Sequence, residues 1–133
     1  MLWPRVMGTI FDKILTGEIP CHRVWEDGEH LAFLDIHPRC VGHTLVIPKV
    51  GSDYLFDLPQ QRYQALWAAA HEVAKKLERV LGATRVCVAV HGWEVPHVHV
   101  HLFPTTSVHD VPFPPVDPAA KAQLSATARL LAP

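Results

Sequence analysis

Cysteine is scarce. The 133-residue chain has three, Cys21, Cys40 and Cys87. Their number is odd and no two form a CxxC pair, which argues against a disulfide framework and against a cysteine-rich zinc site. Each is expected to be a small buried hydrophobe. Charge is also in short supply. Charged residues make up 19% of the chain, 12 Lys+Arg against 13 Asp+Glu. That balance gives no global field for nucleic acid or for an anionic membrane surface. No stretch approaches the roughly 20 apolar residues of a membrane-spanning helix. Met1-Leu2-Trp3-Pro4-Arg5 has neither the apolar run nor the cleavage pattern of a signal peptide. The expectation is a soluble cytoplasmic protein with neither nucleic acid nor membrane as a partner.

What the chain does have is apolar residues, 49% of the total, enough for the core of one ordinary domain. Residues 1–8 read as a lead-in, with Met7 as a second candidate start. Apolar residues at 10, 11, 14 and 15 predict a short helix, ended by Thr16-Gly17. Strands follow over His22–Glu26 and His30–Ile36, joined by the hairpin-type turn Asp27-Gly28. After the loop His37–Gly42, His43–Pro48 reads as a β-branched strand. Gln60–Leu81 carries a helical stripe of Tyr63, Leu66, Trp67, Ala70, Val73, Ala74, Leu77 and Leu81, with Gly82 as its stop and His71 outside the stripe. Thr84–Val90 and Val95–Phe103 then predict an antiparallel hairpin. The tail over 105–133 is proline-rich, with Asp117-Pro118 opening a last short helix to Leu131. The order predicts an α+β domain over 9–104: an antiparallel sheet with one long helix and a short N-terminal helix packed on it.

Histidine is the outlier, with 10 residues. His97, His99 and His101 alternate with Val98, Val100 and Leu102. In an extended strand the imidazoles share one face and the apolar residues the other. Three imidazoles on one face imply proton transfer, nucleophilic attack or metal binding, since each buried ring needs a partner. As metal ligands they are awkward, because His97 and His101 are roughly 13 Å apart along a straight strand. As a nucleophile, the central His99 is best placed to attack phosphorus and split one hard step into two. Backbone N–H groups around Gly92, Glu94 and Val95 could form an anion site beside it. Asp35 falls in line with apolar neighbours, either as a cap for the turn at His37-Pro38 or as a functional carboxylate.

Val95-Pro96-His97-Val98-His99-Val100-His101-Leu102-Phe103 resembles the signature of the histidine triad (HIT) family. So do three blocks before it, in family order: Ile10–Pro20, Leu31–Pro38 and Gly42–Lys49. The resemblance implies a HIT-like fold, a homodimer whose sheets join into one, and hydrolysis or transfer at the α-phosphate of a purine nucleotide. Adenosine phosphoramidates, aminoacyl-adenylates and dinucleoside polyphosphates are the substrates it implies. By position it makes His99 the nucleophile of a covalent nucleotidyl-histidine, flanked by His97 and His101, with His43 reaching the same site. Asp35 would accept the ribose hydroxyls, and Ile10, Phe11, Ile14, Phe33, Ile36 and Leu45 would line the base. Neither metal nor other cofactor is implied.

Two departures stand out. Many members carry an Asn-x-Gly loop and a Ser or Gln before the triad, whereas here the connection is Val90-His91-Gly92-Trp93-Glu94-Val95-Pro96. Glu94 occupies a position where a neutral residue is common. A carboxylate beside a phosphate is repulsive unless it is protonated, turned away or used on a cationic leaving group; otherwise it is a solvated loop residue. Competing functional classes are a nucleotide-binding regulatory protein with little turnover and a histidine-ligated metal protein.

Overall fold

The computed structural model describes residues 8–133. Met7 and all of the lead-in except Gly8 lie outside the described residues. Helix α1 (Ile10–Leu15) begins with a capping box. Thr9 Oγ1 accepts the Asp12 N–H while the Asp12 carboxylate accepts the Thr9 N–H. Strands β1 (Arg23–Glu26), β2 (His30–Leu34) and β3 (Thr44–Pro48) follow, then helix α2 (Gln60–Leu81) and strands β4 (Arg85–Ala89) and β5 (Val100–Thr105). All pairs are antiparallel, and the sheet order is β1-β2-β3-β5-β4.

The period of two along the central strands sorts the side chains into two cores. Ala32, Val46, Val98, Val100 and Leu102 face α2 and pack against Leu66, Ala70, Val73 and Leu77. Leu31, Phe33, Leu45 and Ile47 face the other way, onto Phe11 and Ile14 of α1. The register sets a cross-strand row on that second face: Phe33 beside Leu45, Leu45 beside His101, His101 beside Ala89. Full burial of a valine or leucine side chain contributes about 1.5–3 kcal/mol. Val46, Val100 and Leu102 are fully buried, so the α2 face anchors the strand whose opposite face carries the histidines.

Several elements are shorter than the sequence predicts. β5 begins at Val100, not Val95, so of the three histidines only His101 lies in the strand. Its ladder with β3 ends at Val46–Val100 although β3 runs on to Pro48, and Pro96 has no N–H to give. The Val98 N–H goes instead to the Ser52 carbonyl at 2.6 Å, and that of His97 to the Val95 carbonyl at 2.8 Å. β2 stops at Leu34 because Asp35 starts a turn. The stripe of α2 extends to Ala69, whereas Leu81 is 46% exposed. His71 faces solvent. The tail helix is broken into α3 (Pro118–Ala122) and α4 (Leu124–Leu131) at Gln123, and nothing in the structure explains the break. Its start is as expected, with Asp117 capping the Ala119 N–H at 2.9 Å. The cysteines are free but half-buried rather than buried, Cys21 because it borders a cavity.

Gly42 fixes the loop that enters β3. Its φ is +86°, and a Cβ there would lie 2.4 Å from Leu81 Cδ1 and 3.1 Å from Pro104 Cγ. Gly82, at φ +68°, faces open space. Leu81 Cδ1 ends a half-exposed side chain that can swing away, so Gly42→Ala is expected to destabilise by about 1–3 kcal/mol, backbone strain plus crowding against the Pro104 ring. Gly82→Ala, with strain alone, is expected to cost about 1 kcal/mol. Urea denaturation of both variants measures the difference; equal losses would contradict the close approach.

Candidate functional site

The histidine face is organised by backbone groups that can only accept or only donate. The His97 carbonyl lies 2.7 Å from His99 Nδ1. A carbonyl accepts, so Nδ1 carries the proton and the neutral ring keeps a bare lone pair on Nε2. Likewise the Pro48 carbonyl lies 2.8 Å from His97 Nε2, which therefore carries the N–H. The Arg39 backbone N–H lies 3.1 Å from His43 Nδ1. An N–H donates, so that nitrogen is bare and the proton of neutral His43 sits on Nε2. From there it is donated to His101 Nδ1 at 2.9 Å, which puts the remaining proton of neutral His101 on its Nε2. Four tautomers follow from three main-chain groups and one ring–ring hydrogen bond.

Packing holds the rings in place. Phe11 meets His99 edge-on at 5.0 Å between centroids and His97 at 5.6 Å. Phe103 lies parallel to His101 at 5.7 Å and against His43 at 4.4 Å. The His99 and His101 rings are 4.9 Å apart. Burial disfavours the charged form of His43, His97 and His101 and lowers all three pKa values. For His101, burial comes first and the neighbouring imidazoles His99, His43 and His91 add to it, pushing the value down to about 4.

Two cavities meet at His99, which is itself 4% exposed. The first is apolar, about 200 Å³. Ile10, Phe11, Ile14, Phe33, Ile36, Leu45 and Val95 line it, and Asp35, Glu94, His99 and His101 stand at its rim. The second is polar, about 390 Å³, bordered by Asp35, His43, Gly92, Glu94, His99 and His101. The structure thus brings the sequence-predicted residues together around one point, with one exception. His97 borders neither cavity; it is fully buried and holds Pro48 and, through its carbonyl, His99. Its Nδ1 is left without a hydrogen bond, 4.0 Å from Asp12 Oδ1. Asp35 caps the turn, its Oδ1 accepting the His37 N–H at 2.8 Å; its Oδ2 lies 3.7 Å from His43 Nε2, and the residue borders both cavities.

Residues not singled out beforehand also line the site. Ile19, Pro20, Cys21 and His37 border the apolar cavity, and His37, Arg39, His91 and Trp93 the polar one. Ile19-Pro20 reads as a turn and His37–Gly42 as a plain loop, so only their position in the fold marks them.

Asp35, His43 and His101 place candidate ligand atoms within 4.8 Å of one another. Their hydrogen bonding does not suit a cation. With Nδ1 of His43 accepting the Arg39 N–H, its Nε2 is a donor rather than a lone pair. A metal here would first have to break that bond.

The depressed imidazoles give stability a pH dependence. An unfolded histidine takes up its proton near pH 6.5, whereas folded His101 resists protonation down to about 4. Between those values the unfolded chain binds more protons, so stability rises with pH and is lost as pH falls through that window. His43 and His97 act in the same direction. Urea denaturation from pH 7 to pH 4 is expected to show this loss, with a shallower slope in His101→Asn. A His101 ring that titrates at pH 6.5 by NMR would contradict it.

The HIT domain family matches residues 16–108. An uncharacterized HIT-like protein of Borreliella burgdorferi is 37% identical over 102 residues, covering 71% of this chain and 73% of that protein. An adenosine 5′-monophosphoramidase of Schizosaccharomyces pombe is 35% identical over 103 residues, 74% of each chain. The crystal structure of a HIT family protein from Bacillus anthracis superposes with a TM-score of 0.77 at 30% identity, covering 92% of this chain and 94% of that one. With its sheet order, its triad face and these relatives in agreement, the chain belongs to the HIT family.

Proposed function

We propose that the protein is a nucleotide phosphoramidase, cleaving at the α-phosphate of a purine nucleotide through a covalent nucleotidyl-His99. The observation that carries this reading is the 2.7 Å hydrogen bond from His99 Nδ1–H to the His97 carbonyl. It leaves Nε2 as a bare lone pair where an apolar and a polar cavity meet. The base occupies the apolar slot against Phe11 and Phe33, and Asp35 accepts from the ribose hydroxyls. The α-phosphate then sits at His99, with the His101 N–H and the backbone around Gly92 as donors to its oxygens. The S. pombe relative's name, adenosine 5′-monophosphoramidase, supports the substrate class.

His99 Nε2 attacks phosphorus, the P–N bond breaks, and the departing amine takes a proton from solvent in the open polar cavity. The ring is now a nucleotidyl-imidazolium whose Nδ1–H stays on the His97 carbonyl. Water then attacks the same phosphorus, the bond to Nε2 breaks, and one proton returns to solvent. Neutral His99 and the nucleoside monophosphate remain. His43 holds the tautomer of His101, and His97 holds that of His99.

Incubation with adenosine 5′-phosphoramidate should release AMP, and His99→Asn should lower the rate by at least about a thousandfold. Rapid quench of the wild type should trap one nucleotidyl group on His99, located by peptide mass spectrometry. Equal slow release by both proteins would favour a binding protein with little turnover and sink the enzymatic reading.

We also propose a homodimer through β4. That strand is one of the two sheet edges, and Val88 on it is 49% exposed; Val80 and Leu81, the last two residues of α2, are exposed as well. Pairing two such edges extends the sheet and covers these residues. Among the described residues no helix is long and apolar enough to cross a membrane. The three free cysteines support a reducing cytoplasm as the compartment. Sedimentation velocity at micromolar concentration is expected to show a dimer, shifted to monomer by Val88→Arg; a monomeric wild type would rule the dimer out.

A further inference from the structure

The polar cavity is large for the smallest leaving group the reaction allows. Its volume is about 390 Å³, whereas a molecule the size of water or ammonia takes up about 30 Å³ in the liquid. The group that departs therefore has room to be a sizeable molecule, and the cavity walls should bear on its chemistry.

Those walls carry few fixed charges. Burial keeps His43 and His101 neutral. Above the ordinary imidazole range the remaining charges among the described lining residues are Asp35 and Glu94 against Arg39. The balance is negative, which opposes a polyphosphate leaving group with several negative charges of its own. Asp35 is already engaged, by the His37 N–H and, in the proposed reaction, by ribose. Glu94 is not: among the described residues no hydrogen bond or ion pair reaches its carboxylate. Glu94 stands exposed on the loop before the triad and borders both cavities, as His99 does, whereas Arg39 borders only the polar one. Trp93 beside it is 91% exposed and leaves the cavity mouth open.

Resting on the phosphoramidase reading, we infer that Glu94 is a specificity-determining residue, selecting phosphoramidates whose departing amine carries a second, cationic nitrogen. The Glu94 carboxylate pairs with that ammonium while His99 attacks, and the same charge turns away polyphosphate-linked substrates. A loop position that would be a liability beside a bare phosphate thus becomes a filter for the group attached to it.

Three adenosine substrates test this at pH 8. They are the 5′-phosphoramidates of 1,3-diaminopropane (cationic) and propylamine (neutral), and diadenosine triphosphate (anionic). The wild type is expected to prefer the cationic amine. Glu94→Gln should lower the cationic-to-neutral ratio of kcat/KM about fivefold and raise the anionic-to-neutral ratio, an effect that shrinks with added salt. Glu94→Asp should retain the wild-type order. Dissociation constants of the intact substrates on His99→Asn protein, with and without Glu94→Gln, give the same ratios without turnover. Ratios unchanged within twofold overturn the role of Glu94 even if AMP is released. Absence of AMP release overturns the phosphoramidase reading, while the binding ratios still decide for or against the charge filter.

Discussion

A buried imidazole has two nitrogens, and at His43, His97 and His99 the main chain fixes the role of one of them, which decides the other. The carbonyls of His97 and Pro48 and the N–H of Arg39 are fixed in role by their chemistry. Through them the fold chooses which nitrogen of each ring holds a proton. An unpaired polar atom in such surroundings costs about 1–3 kcal/mol, so a misplaced tautomer at His43, His97 or His99 would be penalised on the scale of a core mutation. The chemistry available to the site is thus set before any ligand arrives. His99 offers a lone pair, His101 a donor, and His97 nothing to the cavity at all.

The sheet makes this arrangement rigid. Val98, Val100 and Leu102 are locked into the α2 core, and because side chains alternate, the histidines between them have no freedom to turn over. A slip of one residue would bury the imidazoles against α2 and expose the valines. The loop bearing Arg39 is held from the opposite side, where Gly42 lets Leu81 and Pro104 approach closely.

Much of this was legible in the sequence because it rests on periodicity. The alternation over 97–102, the stripe of α2 as far as Leu77 and the glycine stop at Gly82 are local patterns, and each appears where the spacing puts it. The extent of β5 was not legible. Its ladder with β3 ends at Val46–Val100 although β3 runs on to Pro48, because the Val98 N–H turns to the Ser52 carbonyl, a contact distant in sequence. His97 reads as a flanking residue equivalent to His101, because evenly spaced histidines carry no sign that the His97 ring borders neither cavity while His101 borders both. Arg39 and His37 lie in a loop whose sequence suggests only a turn. They border the site because Asp35 bends the chain back over it, as the His37 N–H on Asp35 Oδ1 records. Asp35 could be argued two ways because a turn cap and a cavity-lining carboxylate occupy the same position in the chain.

The lowered pKa values explain why clustering histidines does not defeat the proposed reaction. Attack by His99 on phosphorus puts a positive charge on its ring. Were His101 also protonated, two unit charges 4.9 Å apart would repel by about 3 kcal/mol at an effective dielectric near 20, roughly a hundredfold in rate. Burial removes that penalty by holding His101 neutral down to about pH 4. The cost appears as lost stability in acid; the gain is a group of rings in which only the nucleophile needs to become charged. A solvent-exposed triad with the same spacing would keep the three imidazoles near their ordinary pKa, and near neutral pH part of the population would then face the repulsion that burial removes.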